Sequence, residues 1–104
     1  MKKTIQELEA ERLEWSTETF RQATPLSSLL KLHEEVKEVI EALGNLDVDA
    51  ITEEYADCLM CLFDSAGRLG ISLDEIFDAF AKKLVKNKAR VWSKNPDNTY
   101  SHVK

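Results

Sequence analysis

Two short pairs of acids stand out in the chain: Glu35 and Glu38 in HEEVKEV, and Glu54 and Asp57 in EEYADCL. Each pair is spaced three residues apart on a segment that reads as helix, and three residues turn a helix by about 300°. Each pair therefore shares a face. Two such helices side by side would gather four hard oxygen ligands, a set suited to Mg²⁺ or Mn²⁺.

A complementary element lies downstream. Lys83, Asn87 and Arg90 in KKLVKNKARVW follow one another at spacings of four and three, on one helix face. Asn87 continues an apolar stripe, where an amide must find hydrogen-bond partners. Each element has a plain alternative. Glutamates often cover a solvated helix face, and cations near a helix C-terminus complement its dipole without further purpose. Three features weigh against the plain reading of the acids. Glu54 and Asp57 border an apolar stripe instead of opposing it; like charges at this spacing weaken an isolated helix; and metal-type acids together with a Lys/Asn/Arg face are the parts needed to grip a nucleoside polyphosphate.

The elements that must position these groups are four helices, at about 4–22, 25–43, 50–69 and 73–92. Thr4 with Glu7 forms a capping box for the first. Thr24-Pro25 is an N-cap followed by proline at the first helical position, and Gly44 closes that second helix. Asp47 and Asp49 are candidate caps for the third, which Gly70 stops; Ser72 with Glu75 opens the fourth. The tail 93–104 is polar, with Pro96 and Asn98 as turn formers. Apolar residues recur at helical spacing. One stripe is Leu29, His33, Val36, Ile40 and Leu43; a second is Ile51, Tyr55, Cys58, Leu59, Leu62, Ala66 and Leu69; a third is Leu73, Ile76, Phe77, Phe80 and Leu84. No strand-like alternation is seen. The expected fold is all-α, a four-helix bundle in a single domain, 1–104. Leu30, Leu32 and Val39 make the second helix apolar outside its stripe as well, which suggests a homo-oligomer burying a second surface.

The bulk composition of these 104 residues, 43% hydrophobic and 32% charged, is that of a globular chain. A formal charge of −5 argues against sequence-independent nucleic-acid binding. No apolar run approaches the ~20 residues of a membrane span, and MKKTIQELEAER lacks the apolar core of a signal peptide. A cytoplasmic setting with reduced thiols at Cys58 and Cys61 is expected. Cys58-Leu-Met-Cys61 falls mid-helix, unlike redox motifs, and lacks partners for a zinc site, so packing thiols are the better reading. Di-iron chemistry is disfavoured because neither His33 nor His102 follows a glutamate by three. His33 itself reads as a core or interface histidine before a metal ligand. Phe63, Phe77 and Phe80 read as core.

The order Glu34-Glu35-x-x-Glu38, then Glu54-x-x-Asp57, resembles the signature of MazG-like all-α nucleotide pyrophosphohydrolases. Trp15-Ser16-x-x-Thr19-Phe20, the run Lys83/Asn87/Arg90/Trp92 and the dipeptide His102-Val103 make the chain most similar to the MazZ-type dATP/dGTP diphosphohydrolase family of phages and bacteria, over nearly its whole length. The resemblance implies Mg²⁺-dependent hydrolysis of a (deoxy)nucleoside triphosphate, dATP or dGTP, between the α- and β-phosphates, giving the monophosphate and pyrophosphate, with Mn²⁺ as a substitute ion. It implies Glu35, Glu38, Glu54 and Asp57 as metal ligands, Glu34 in support or water activation, and Lys83, Asn87 and Arg90 on phosphate or nucleoside. Trp15 could stack on the base and Ser16 help position the substrate. A dimer or tetramer is expected. Asn98 departs from the family's turn glycine, although asparagine also tolerates a left-handed backbone. The alternative from another class is a noncatalytic helical oligomerisation protein derived from this family.

Overall fold

The computed structural model describes residues 2–104. Its four helices are α1 (Ile5–Thr19), α2 (Pro25–Leu43), α3 (Val48–Arg68) and α4 (Leu73–Lys88), followed by the short strands β1 (Trp92–Lys94) and β2 (Tyr100–His102). The chain divides into two compact units, Met1–Leu73 and Asp74–Lys104.

Local chemistry sets most of the boundaries. The Thr4 hydroxyl accepts from the Glu7 N–H while the Glu7 carboxylate accepts from the Thr4 N–H, the reciprocal box that opens α1. Thr24 caps α2 in the same way, with Ser27 in the glutamate's place and Pro25 at the first helical position. Asp47 is the cap of α3, accepting from the N–H groups of Asp49 and Ala50. At the far end Gly70 adopts φ +79°, a left-handed turn that only glycine enters freely. Gly44, in contrast, has φ −69° and stays right-handed; the left-handed residue of the α2–α3 connection is Leu46, at φ 54°.

The first unit is organised by α2 and α3 lying antiparallel. Ser65 Oγ donates to the Pro25 carbonyl at 2.8 Å, and Ser28 Oγ donates to Asp64 Oδ2 at 2.6 Å near one end. Glu38 and Glu54 meet toward the other. The packed face of α2 runs Ser28, Leu32, Glu35, Val39 and Ala42, at alternating spacings of four and three. It is not the expected stripe: Leu29, Val36, Ile40 and Leu43 are all exposed, Ile40 at 63%, whereas Val39 is 7% exposed. The matching face of α3 is Ile51, Glu54, Cys58, Cys61 and Ser65, with Tyr55, Leu59, Leu62 and Leu69 exposed. Helix pairing, not apolar content, selected the faces, because the buried ones carry the polar groups that bond across the interface. Helix α1 packs on α3 at Gly67, where a Cβ would lie 2.9 Å from Leu13 Cδ1.

The second unit corrects the expected boundary. Helix α4 stops at Lys88, and residues 92–102 form an antiparallel ribbon pairing Trp92 with His102, Ser93 with Ser101 and Lys94 with Tyr100. Its turn uses Asn98 at φ 70°, while Asp97 accepts from both the N–H and the hydroxyl of Thr99. Three-residue strands are too short to show alternation, which hid them in the sequence. Phe63 is buried as expected; Phe77 and Phe80 are exposed.

Candidate active site

The acids converge where α2 and α3 pass. One carboxylate oxygen from each of Glu35, Glu38 and Glu54 lies within 4.8 Å of the other two. Glu35 Oε2 and Glu54 Oε2 are buried and have no hydrogen-bond partner among the described residues. Buried carboxylate oxygens are costly to leave unmatched. The repulsion is visible on Glu38, whose carboxyl is held above its ordinary pKa, first by the charge of Glu35 and then by hydrogen bonds with Glu35 and Glu54. A hard divalent cation fits this set of three carboxylates, two of which carry a buried oxygen left without a hydrogen bond among the described residues. Asp57, one turn beyond Glu54, is exposed and outside the cluster of three, on the wall of the adjoining cleft. Glu34 points elsewhere, pairing with Lys37 at 3.5 Å. His33 is exposed.

That cleft has a volume of about 450 Å³, within the range of small-molecule sites. Glu35, Lys31 and Asp57 line one part of it; Trp15, Phe20 and Met60 supply aromatic and apolar wall. Trp15 is 56% exposed and meets Phe20 edge to face at 5.3 Å between ring centres. Lys31 Nζ stands 3.2 Å from Glu35 Oε1, and this hydrogen bond raises the lysine pKa. Cys61 also lines the cleft. It and Cys58 are unpaired thiols. Burial, and after it the charge of Glu35, pushes both thiol pKa values up.

A second polar centre was not foreseen. Asp64 is buried and takes four donors. Its Oδ1 accepts from Arg12 Nη1 at 2.9 Å and Ser16 Oγ at 2.7 Å; its Oδ2 accepts from Ser28 Oγ at 2.6 Å and Arg68 Nε at 2.8 Å. Arg68 also donates to the carbonyls of Ala23 and Ser16, tying the α1–α2 connection to α3. Ser16 is thus 2% exposed, with its proton committed to Asp64. The signal was present in the sequence: a lone acid within CLMCLFDSAG and an arginine four residues on. Lys31 and Ser28 were missed because neither belongs to a recognisable spacing.

Lys83, Asn87 and Arg90 belong to the second unit. There, Arg90 Nη1 donates to Asn87 Oδ1 at 3.2 Å, and the Asn87 carbonyl accepts from Trp92 Nε1 at 2.8 Å. Trp92 meets His102 edge to face, and the Val103 N–H donates to the Val91 carbonyl at 2.7 Å. The Trp92 and His102-Val103 motifs therefore hold the ribbon to the end of α4.

Comparison with known proteins gives the chain a family and relatives. The dATP/dGTP pyrophosphohydrolase family model matches residues 8–104. A dATP/dGTP diphosphohydrolase of Cyanophage S-2L is 31% identical over 103 residues, spanning 99% of this chain and 91% of its own. Another, of Salmonella phage PMBT28, is 35% identical over 89 residues, 86% of this chain; the match spans 28% of that protein's length. Among solved structures, the Cyanophage S-2L MazG-like pyrophosphohydrolase bound to dGDP and three catalytic Mn²⁺ ions per active site superposes with a TM-score of 0.77 at 30% identity, covering 99% of this chain and 100% of that one. The chain belongs to the dATP/dGTP pyrophosphohydrolase family.

Proposed function

We propose that this protein hydrolyses dATP or dGTP between the α- and β-phosphates, releasing the monophosphate and pyrophosphate, with Mg²⁺ as its ion and Mn²⁺ as a substitute. The observation that carries the reading is the trio Glu35, Glu38 and Glu54 beside the cleft, with buried oxygens on Glu35 and Glu54 that no hydrogen bond satisfies among the described residues. Family membership and the Mn²⁺- and dGDP-bound relative support it.

Glu35, Glu38 and Glu54 would hold the metal, joined by Asp57 from the cleft wall. When bound there, a divalent ion would supply Lewis acidity and offset phosphate charge. Lys31 pairs with Glu35 and, once Glu35 is shared with an ion, would be free to turn to a phosphate oxygen. Trp15 offers a face for the base. Glu34 is exposed and paired with Lys37, so we assign it a supporting role in the charge of α2. In the second unit, Lys83, Asn87 and Arg90 are the groups proposed for phosphate or nucleoside oxygens. We read residues 1–104 as one enzyme domain acting in a cytoplasm, in keeping with its free thiols; among the described residues no helix is long and apolar enough to cross a membrane.

A homo-oligomer, dimer or tetramer, is part of the proposal. Among the described residues the buried apolar ones are Val39, Phe63 and Leu73, while Leu29, Val36, Ile40 and Leu43 expose a stripe along α2. Continuous apolar surface of this kind marks an interface. The same surface favours the alternative of a noncatalytic oligomerisation protein. A nucleotide panel with Mg²⁺, products identified by mass, decides between them. Pyrophosphate and dAMP or dGMP are expected; orthophosphate would contradict the bond assigned, and no turnover would favour the alternative.

A further inference from the structure

The hydrogen-bond bookkeeping around Asp64 has a consequence for what the cleft can recognise. A carboxylate offers about four acceptor sites, and Arg12, Ser16, Ser28 and Arg68 fill them. With two guanidiniums against it, Asp64 is ionised and cannot donate. Both serine hydroxyls must therefore spend their single proton on it. Asp64 lines the cleft yet has no capacity left for a ligand, so its influence passes through the serines. Ser16 also accepts from Arg68 Nη2 at 3.1 Å and is almost sealed from solvent. Ser28 lines the same cleft and is 7% exposed; it differs in that, among the described residues, no hydrogen bond is donated to its Oγ. Its lone pairs remain available and its proton does not. Toward the cleft, Ser28 is an acceptor only.

Position adds the ligand group. Ser28 and Glu35 are seven residues apart on α2, about 10 Å along the axis, roughly the span from a nucleotide's phosphates to the far edge of its base. The wall near Ser28 includes Trp15 and Phe20. We infer that Ser28, oriented by Asp64 as a positioning residue, reads the nucleobase by accepting a hydrogen bond from a purine exocyclic amine. Adenine bears its amine at C6 and guanine at C2, while guanine O6 is itself an acceptor, so in a given pose Ser28 meets the amine of one of the two and disfavours the matching purine that lacks it. This inference rests on the nucleotide-binding reading of the cleft and extends it to base selection.

The test is binding, measured by calorimetry on the full chain in Mn²⁺, with two matched pairs: dGDP against dIDP, and dADP against the diphosphate of purine deoxyriboside. Each pair differs by one amine. The wild type should prefer the amine-bearing member of at least one pair by about 3- to 10-fold, the value of one hydrogen bond. Ser28→Ala should reduce that preference to within about 2-fold, and Asp64→Asn should reduce it too, since an amide can donate to Ser28 and release its proton. A purely structural defect would weaken both members alike and leave the ratio unchanged. If Ser28→Ala does not fold, Ser28→Cys, a weaker acceptor, gives the same readout. Equal affinities in both pairs, or a preference that survives Ser28→Ala, overturn the inference. Selective binding without pyrophosphate release from dGTP leaves it standing and removes the assigned reaction; no diphosphate binding at all overturns both.

Discussion

Replacing Asp64 by alanine should cost more stability than any change at the clustered acids. The residue accepts four hydrogen bonds, and its two arginine partners are nearly buried, with side chains 11% and 9% exposed at Arg12 and Arg68. Arg12 keeps Glu9, to which Nη2 donates at 3.0 Å. Arg68 would keep only neutral acceptors, the carbonyls of Ala23 and Ser16 and the Ser16 hydroxyl. Removing one partner of a buried pair costs about 3–5 kcal/mol, and Glu9's hold on Arg12 favours the lower end. That is a large share of the roughly 5–15 kcal/mol that holds a domain together. Asp64→Asn keeps the shape and should cost about 2 kcal/mol, in the range for hydrogen bonds to charged groups.

Acid adds a second handle. Burial alone would raise the Asp64 pKa, but donation from Ser28, Arg68, Ser16 and Arg12 outweighs it and holds the carboxyl well below the usual range. A depressed folded pKa means that the contribution is complete above the ordinary value of 3.8 and drains away as pH falls toward the folded one. The assay is urea unfolding followed by circular dichroism at pH 7 and through the acid limb, at one protein concentration because association shifts apparent stability. A loss below about 1 kcal/mol in Asp64→Ala, or an acid limb of the wild type that matches that of Asp64→Asn, would refute the account of a charged hub.

Glu35→Gln and Glu54→Gln should each lower Mn²⁺ affinity by about 100-fold or more, since even partners one shell further out are worth about 10–100-fold; unchanged titrations would remove the metal site. Glu38→Gln should abolish turnover yet raise the melting temperature of the metal-free protein, because it relieves the repulsion from Glu35; a fall in melting temperature would contradict that. Gly67→Val should loosen α1 from α3 by about 1–3 kcal/mol through overpacking on Leu13, read as a lower urea midpoint. Ile40→Glu, on the exposed stripe, should shift sedimentation toward the monomer without loss of helicity.

Capping residues made the helices legible, because a cap is a bond between neighbours in sequence. Thr4 with Glu7, Thr24 with Pro25, Asp47 and Gly70 each act within a few residues of where they stand. The strands were not legible, since a three-residue pairing leaves no period to detect. The acids were found by spacing, and three of the four meet; Asp57 shares the face of Glu54 but sits outside the cluster.

What the sequence determined by itself was local: four helices, their starts, the stops of α2 and α3, and two acidic pairs each confined to one face by the pitch of a helix; α1 ends at Thr19 and α4 at Lys88, short of the expected 22 and 92. Only the tertiary structure decided which faces turned inward. On α2 two stripes one residue apart competed, and the less apolar one, carrying Ser28 and Glu35, was buried. The physical reason is that burial depends on what the opposing helix offers. Asp64, Arg68 and Ser65 on α3 supply bonds that Leu29 and Ile40 could not use, and partners 36 to 52 residues apart leave no mark on local pattern.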